Sequence, residues 1–514
     1  MLTFTSPAIA LAAIFLNSGS TVGPSEAHPV PTWGALTPYH EASSFGASRG
    51  VPQGCRLSQA HVLHRHTERY PTSYFLEGGQ VEVLASKVAS YKSEHPNTGF
   101  ATGPLSFLND WDYVFVGGGT NTLLSSGTAT AQAAGAEFWS RYGRLLYNAG
   151  SDNLFWQESL NVFPNGTARP KPVFRTTSEK RILESARWWL NGFFADGDAT
   201  SAHDHYNLLV IPEGPGLNNT LAPYDVCSGD MTEGEKALTE DFIPLFTASA
   251  LTRLSSLLPS EFNLTALDIY AMMNLCPFET TALGASSFCA LFTEQEWKDY
   301  DYASDLHFYG DYSFGSPSGR AQGIGYVVEL SARISGELLH RGDVGINYTY
   351  DNNEATFPIH QPVYMDMAHD DTIISVLTAL GLEQFKEGPD GLFGAVEHAP
   401  EHTFRVRDVT PFGARLIAEI WSCGNATDFT NLEPVLYHNL PDEDDGAKDH
   451  IRFVLNGGPI ALDGLSGCEE AVNGFCELKG FLGGIAELKK QAQYDYACSG
   501  DYKVEGQVEN GVPS

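Results

Sequence analysis

The stretch "CRLSQAHVLHRHTERYPT", Cys55 to Thr72, decides the fold. Its first part alternates apolar and polar side chains, which is typical of a β-strand, and "TERYPT" ends that strand in an abrupt turn. Arg65, His66 and Arg69 gather where the strand ends. In open α/β sheets, ligands bind in the loops beyond the carboxyl ends of strands. The stretch therefore predicts a strand whose carboxyl end is followed by a basic loop, at a binding site.

Two later segments have the same form, a strand, a charged loop and a helix. They are "PVFRTTSEKRILESARWWLNGFF", which contains Arg181, and "PVYMDMAHDDTIISVLTALGL", which contains His369 and Asp370. Taken alone, these residues are more readily interpreted as surface charges or helix caps. Together with the first loop they predict an anion site, because one guanidinium group can donate two parallel hydrogen bonds to the oxygens of a phosphate. A histidine there can attack phosphorus, and an aspartic acid can protonate the leaving oxygen.

Strands that alternate with helices along the chain predict an α/β fold. We expect a large α/β domain with a central mixed sheet flanked by helices, formed by residues 28–224 and 321–514. The mostly helical range from about 225 to 320 predicts a smaller inserted α-helical domain. "HIRFVLNGGPIAL" predicts a hairpin through Asn456-Gly457-Gly458.

Three features indicate a secreted, extracellular glycoprotein. The apolar run from Ala8 to Leu16 is too short to span a bilayer and predicts a signal peptide over about residues 1–27, the alternative being an apolar element of the fold. The 8 cysteines are even in number and lack a CxxC pattern, which predicts four disulfides without fixing their pairing. Asn-X-Ser/Thr triplets predict glycosylation at Asn165, Asn218, Asn263, Asn347 and Asn425.

The charge balance restricts the partners. The 514 residues include 30 Lys+Arg against 63 Asp+Glu, a formal charge of -33. Nucleic acids and anionic membranes need a basic footprint, so both are excluded as partners. The acidity suits a soluble protein in an acidic or extracellular medium. We expect a monomer that acts on a small molecule.

The motifs resemble those of a known family. "RHTERYP" resembles the R-H-G-x-R-x-P signature of the histidine acid phosphatases, and "MAHDDT" resembles their later His-Asp motif. Longer stretches, such as "FCALFTEQEWKDYDYASDLHFYG" and "HIRFVLNGGPIALDGLSGC", resemble the fungal phytases of that family, and matching stretches extend from about Val51 to Cys498.

The resemblance implies a function and a role for each motif residue. The chain is expected to hydrolyse phosphomonoesters, with phytate (inositol hexakisphosphate) as a candidate substrate. His66 is the implied nucleophile and Asp370 the general acid, while Arg65, Arg69, Arg181 and His369 are implied to bind phosphate. No metal or other cofactor is expected, because arginines and histidines supply the positive charge. The implied disulfides are Cys55–Cys423, Cys227–Cys498, Cys276–Cys289 and Cys468–Cys476.

Two departures from the family pattern leave the substrate and the activity open. Thr67 replaces the signature glycine, and its methyl group is expected either to crowd the phosphate or to bring a hydroxyl donor to it. The expected substrate pocket, Thr67, Glu68, Asn274 and His307, has fewer cations than the phytases that the chain resembles. The alternatives are therefore a broad acid phosphatase that is poor on phytate, or a phosphate-ester-binding relative impaired by Thr67.

Other motifs indicate little chemistry. His61 and His64 precede the basic loop and are interpreted as packing or solvated residues, although His64 is near enough to flank the site. "GGGTNT", Gly117 to Thr122, lacks the end of a phosphate-binding loop and is interpreted as a turn. The acidic run "PDEDDGAKD" is interpreted as a solvated loop.

Overall fold

The structure is a computed structural model that describes residues 31–96, 99–116, 121–150, 155–195, 202–227, 229, 233–389, 391–440, 446–504 and 508–513. The chain divides into two compact units, Met1–Pro31 and Thr32–Ser514. The predicted signal peptide lies outside the described residues, as do 117–120 of the Gly-rich stretch and 441–445 of the acidic run. All elements below belong to the second unit.

The strands are β1 (Val51–Pro52), β2 (Cys55–Arg65), β3 (Val173–Thr177), β4 (Asn207–Ile211), β5 (Val363–Ala368), β6 (Arg415–Cys423), β7 (Leu432–Glu433), β8 (Lys448–Leu455), β9 (Gly458–Pro459) and β10 (Cys476–Glu477). The helices are α1 (Gln80–Glu94), α2 (Ser125–Phe138), α3 (Arg144–Leu146), α4 (Lys180–Phe193), α5 (Glu233–Lys236), α6 (Ile243–Phe246), α7 (Ala248–Ser255), α8 (Ala266–Leu283), α9 (Glu294–Tyr312), α10 (Gly319–Ser335), α11 (Tyr348–Asp351), α12 (Asp370–Leu380), α13 (Val406–Val409), α14 (Leu478–Ala492) and α15 (Tyr494–Ser499).

The main sheet is mixed, as the sequence predicts. Its order is β10-β8-β6-β2-β5-β3-β4, with β9 beside β8. The strands β2, β5, β3 and β4 are mutually parallel, whereas β6, β8 and β10 run antiparallel to their neighbours. Because the carboxyl ends of parallel strands meet at one edge, the loops after β2, β5, β3 and β4 converge there.

Helices cover both faces of this sheet. Leu63 of β2 packs into a core with α10, α12 and α14, whereas its neighbour Val62 packs into a second core with α2 and α4. This alternation follows from the two-residue side-chain period of a strand. The predicted α/β class with helices on a central sheet is confirmed.

Helices α2 and α4 approach closely because glycines face the partner backbone. A Cβ atom on Gly135 would lie 1.8 Å from the carbonyl oxygen of Trp189, and one on Gly192 would lie 2.0 Å from that of Gln132. Both distances are far below van der Waals contact, so any side chain at these positions would push the helices apart.

The range predicted as a helical insertion contains α5 to α9 and the first residues of α10. Helix α8 begins at a capping box of Thr265 and Asp268, and α9 begins at one of Thr293 and Glu296. Helix α1 comes from earlier in the chain and shares a hydrophobic core with α8 and α9. The boundaries of a separate domain remain a prediction.

A buried ion cluster lies beneath the sheet edge that carries the site. Asp366 of β5 forms ion pairs with Arg175, at 2.6 Å, and with Arg333, at 2.7 Å. Arg175 also pairs with Glu329 at 2.7 Å and lies 3.7 Å from Asp351. Burial and the charge of Glu329 raise the pKa of Asp351 to about 9, against the opposing effect of Arg175. With one carboxyl protonated, two guanidinium groups balance two carboxylates.

The structure also bears on the expected disulfides, the expected hairpin and the search for membrane-spanning helices. The structure contains the disulfides Cys55–Cys423, Cys227–Cys498, Cys276–Cys289 and Cys468–Cys476, the pairs that the resemblance implies. The predicted hairpin joins β8 to β9, with Asn456 and Gly457 both at positive φ. No helix in the described ranges combines the length and the hydrophobicity needed to cross a bilayer.

Candidate active site

His66 lies at the carboxyl end of β2, 1% exposed. Its Nδ1 lies 2.9 Å from the carbonyl oxygen of Thr67, so that nitrogen carries the proton and donates it. The Nε2 lone pair is therefore free to act as a nucleophile. Burial, reinforced by the charges of Arg181, Arg65 and Arg69, holds the pKa of His66 well below its ordinary value. The ring is thus neutral at acidic pH, as a nucleophile must be.

Three arginines, Arg65, Arg69 and Arg181, lie close enough to His66 to lower its pKa. Arg65 forms an ion pair with Asp370 at 2.7 Å, and its guanidinium lies 4.5 Å from the ring centre of Phe412. Arg69 approaches the same ring at 5.7 Å and pairs with Glu77 at 2.6 Å. The Nε–H groups of all three arginines have no hydrogen-bond partner among the described residues. Each arginine therefore retains a donor for a phosphoryl oxygen.

Arg181 is held by the residue at the start of its own helix, α4, and by a residue from another segment. It forms an ion pair with Glu179 and donates to the side-chain oxygen of Asn121. Asn121 belongs to the "GGGTNT" stretch, which the sequence suggests is only a turn. Nothing in that stretch indicated the contact, because the partner lies in a distant helix.

His369 caps the start of α12 and faces His66, with 6.2 Å between ring centres. Its Nε2 lies 3.0 Å from Glu213 and 3.4 Å from the Tyr224 hydroxyl, and its Nδ1 lies 3.4 Å from Arg181. Burial opposes charging of the ring, but the hydrogen bond and charge of Glu213 prevail and raise the pKa of His369. At acidic pH His369 is thus a fourth cation beside the three arginines.

Asp370 and Asp371 begin α12 and differ in their protonation. Burial would raise the pKa of Asp370, but Arg65, Arg69 and His369 outweigh it and hold that pKa below its ordinary value. Burial raises the pKa of Asp371 to about 6, against the opposing charge of His369. Asp370 is therefore ionised when no phosphate occupies the arginines.

Thr67 forms hydrogen bonds with α2 and α4. Its hydroxyl donates to the carbonyl oxygen of Gly127 in α2, at 2.7 Å, and its N–H donates to Ser185 at 3.2 Å. It is not among the described non-glycine residues with positive φ. The expectation that Thr67 crowds or contacts the phosphate is therefore not supported by this arrangement. Gly127 is itself constrained, since a Cβ there would lie 2.1 Å from the carbonyl oxygen of Glu68.

A cavity of about 330 Å³ adjoins the arginines. Its lining includes Arg69, Arg181, Asp370 and two of the predicted pocket residues, Asn274 and His307. Asn274 donates to the carbonyl oxygen of Leu76 and accepts from the Tyr300 hydroxyl, at 2.8 and 2.6 Å. His307 pairs with Asp311 at 3.1 Å. The buried Glu68 side chain contacts Thr130, and burial raises its pKa.

The histidines before the loop pack inside the protein. His61 stacks on Tyr364, with ring centres 4.3 Å apart, and His64 approaches the carbonyl oxygen of Arg65 through Nδ1 at 2.6 Å. Burial lowers the pKa of each to about 3, so neither carries charge near neutral pH.

One group of potential metal ligands exists among the described residues, formed by Glu179, Glu213 and His369, whose ligand atoms lie within 4.8 Å of one another. Arg181 pairs with Glu179 and approaches His369. A guanidinium therefore already supplies positive charge to this group. Glu213 and Tyr224 belong to no motif, so sequence reasoning missed their contacts with His369.

The whole arrangement has relatives among known proteins. The family model described as "Histidine phosphatase superfamily (branch 2)" matches residues 56–456. This chain belongs to that superfamily. Phytase A of Emericella nidulans is 31% identical over 408 residues, 76% of this chain and 79% of the relative. Phytase A of Aspergillus oryzae is 30% identical over 467 residues, 88% and 87% of the two chains.

Solved structures share the fold. The crystal structure of the phytase from D. castellii matches with a TM-score of 0.67 at 22% identity, over 94% of this chain and 88% of that one. The multiple inositol polyphosphate phosphatase of Bifidobacterium longum, solved with inositol hexasulfate, matches with a TM-score of 0.55 at 13% identity, over 92% and 99% of the two chains. This branch 2 histidine phosphatase is thus a phosphatase-type hydrolase.

Proposed function

We propose that this histidine phosphatase hydrolyses phosphate monoesters in two displacements through His66. One observation carries the proposal: a neutral histidine with its Nδ1 proton held by Thr67 lies among Arg65, Arg69, Arg181 and His369. In the first step Nε2 bonds to phosphorus as the ester P–O bond breaks, and Asp370 gives its proton to the leaving oxygen. In the second step water attacks phosphorus and the Nε2–P bond breaks. The water's proton passes to Asp370, and phosphate leaves.

Asp370 must gain a proton before it can act as an acid. The free site holds it ionised through its 2.7 Å pair with Arg65. A bound phosphoryl group competes for Arg65 and places negative charge beside the carboxyl, and both effects raise its pKa. Substrate binding therefore promotes the protonation that the chemistry needs. We expect optimal activity at acidic pH for this reason.

The structure favours turnover over an impaired binding protein. The side-chain hydroxyl of Thr67 donates to Gly127 and its backbone N–H donates to Ser185, so the substitution leaves the phosphate-binding groups in place. Phytate remains a candidate substrate, supported by the names of the relatives. Secretion remains a proposal too, supported by the four disulfides and by the exposed asparagines Asn165, Asn263 and Asn425. Asn218 and Asn347 are half-buried, and their amides donate to backbone oxygens.

The proposal is tested with p-nitrophenyl phosphate and a simple alkyl phosphate at acidic pH. His66→Ala should lower turnover of both by about 10⁴-fold or more, because no phosphohistidine can form. The exposed His340→Ala is the matched control and should retain activity. Asp370→Asn should slow the alkyl ester by about 10²–10⁴-fold. Its effect on the nitrophenyl ester should be smaller, because nitrophenolate leaves without a proton. Turnover that survives in His66→Ala would refute the assignment.

A further inference from the structure

We propose that the cavity beside the arginines selects monoesters whose leaving group carries no further negative charge and presents a ring or apolar face. The proposal rests on the proposed function, because it concerns the alcohol that leaves when His66 bonds to phosphorus. It narrows the substrate class away from polyphosphorylated alcohols.

The position of the cavity makes it the place for the leaving group. Arg69, Arg181 and Asp370 are among its lining residues, so the leaving group of a phosphoryl ester held by these arginines would occupy this cavity. Arg69 is 7% exposed, and its Nε–H lacks a partner among the described residues. A volume of about 330 Å³ suits a single small molecule.

The walls of this cavity are mainly aromatic and aliphatic. Tyr74 and His307 stack with an interplanar angle of 8° and ring centres 5.6 Å apart. Other rings and aliphatic chains complete the wall: Trp33, Leu36, Leu76, Leu238, Tyr270, Tyr300, Phe308 and Tyr312. Aromatic faces gain most from contact with another ring or an apolar group, and gain little from a hydrated phosphate.

The charges beyond the arginines are mostly negative. Glu235 accepts from the Tyr74 hydroxyl at 2.8 Å, and Asp371 lines the cavity beside Asp370. His307 is offset by its 3.1 Å partner Asp311. No lysine lines the described part of this cavity. A second phosphate on the substrate would therefore face the carboxylate of Glu235 and, as the pH approaches the raised pKa of about 6, that of Asp371, while the charge of His307 is offset by Asp311.

Two esters that differ by one charge test the proposal. Benzyl phosphate and 4-carboxybenzyl phosphate share the ring and the ester linkage, and both are assayed where the added carboxyl is ionised. We expect kcat/KM to favour benzyl phosphate by about tenfold or more, since a repulsion of about 1.4 kcal/mol corresponds to that factor. Phytate should be a poorer substrate than benzyl phosphate in the same assay.

Variants of one wall residue complete the test. Glu235→Gln keeps an acceptor for Tyr74 and removes the charge. It should therefore lower the ratio of kcat/KM for benzyl phosphate to that for 4-carboxybenzyl phosphate by about threefold or more. Glu240→Gln removes an equal charge from an exposed position in the following helical segment and should keep the preference. Equal kcat/KM for the two benzyl esters, or a better rate on phytate, would overturn this proposal alone. Loss of turnover on all esters would instead refute the proposed function.

Discussion

Thr67 shows how a substitution beside the proposed nucleophile, His66, is accommodated. Its hydroxyl donates to Gly127 and its backbone N–H donates to Ser185, so this residue links the loop after β2 to α2 and α4. The sequence revealed His66, Arg65, Arg69 and the His369-Asp370 pair because they lie in contiguous motifs. It did not reveal their supporting partners, because these come from scattered segments of the chain and no spacing marks them.

We predict that Thr67→Val destabilises the protein by about 0.5–1.5 kcal/mol, because the buried hydrogen bond from the Thr67 hydroxyl to the Gly127 oxygen is lost. Thr67→Ser keeps the hydroxyl and serves as the control. Urea unfolding measures the free energy of unfolding, and kcat/KM should change far less than in His66→Ala. A large loss of kcat/KM at unchanged stability would mean that the hydroxyl contacts phosphate after all.

We predict that Glu213→Gln shifts the pH dependence of phosphate binding. Glu213 raises the pKa of His369, so its removal should let His369 become neutral at lower pH. The rise of KM with pH should then begin at lower pH than in the parent protein, while kcat changes less. The pH profile of KM, with NMR titration of His369, measures this. An unshifted profile would show that Glu213 does not control the charge of His369.

At the scale of elements, the strand–loop–helix units followed directly from the sequence. Alternation and turn residues located β2, and the hydrophobic pattern located α4 and α12. The packing of one element on another was not predictable, because the local sequence around Gly135 does not reveal which backbone it faces. In the structure that backbone belongs to α4.

We predict that Gly135→Ala destabilises the protein by about 1–3 kcal/mol, since overpacking outweighs the better helix propensity of alanine. Gly483→Ala is the matched control, because a Cβ there meets nothing within 4 Å. That variant should be stabilised by up to about 1 kcal/mol. Chemical denaturation compares the two. Equal effects would mean that α2 and α4 can separate at no cost.

At the scale of the whole molecule, the buried ion cluster couples stability to pH. Asp351 has its pKa raised to about 9, so between the ordinary carboxyl range and that value the folded state holds a proton that the unfolded state has released. Stability from this group is complete at acidic pH and is lost as pH rises toward that value. The acidic excess of the chain acts in the same direction through self-repulsion.

We predict that Asp351→Asn reduces the fall in stability between acidic and mildly alkaline pH, because an amide stays neutral throughout. The control is Asp343→Asn, an exposed carboxylate that pairs with Lys489. Melting temperatures across that pH range measure the slope for each variant. A slope in Asp351→Asn equal to that of the control would show that the cluster does not hold the proton.

The order of strands in the sheet has a consequence for how the protein is made. Strand β2 pairs with β5 on one side and β6 on the other, and both are synthesised late. The disulfide of Cys55 can form only after Cys423, 368 residues further along the chain, has been synthesised. A nascent chain therefore carries His66 at the end of an unpaired strand for most of translation. Such long-range pairing makes folding slow and exposes intermediates to aggregation. Yield on heterologous expression should therefore depend on folding assistance before it depends on the stability of the finished enzyme.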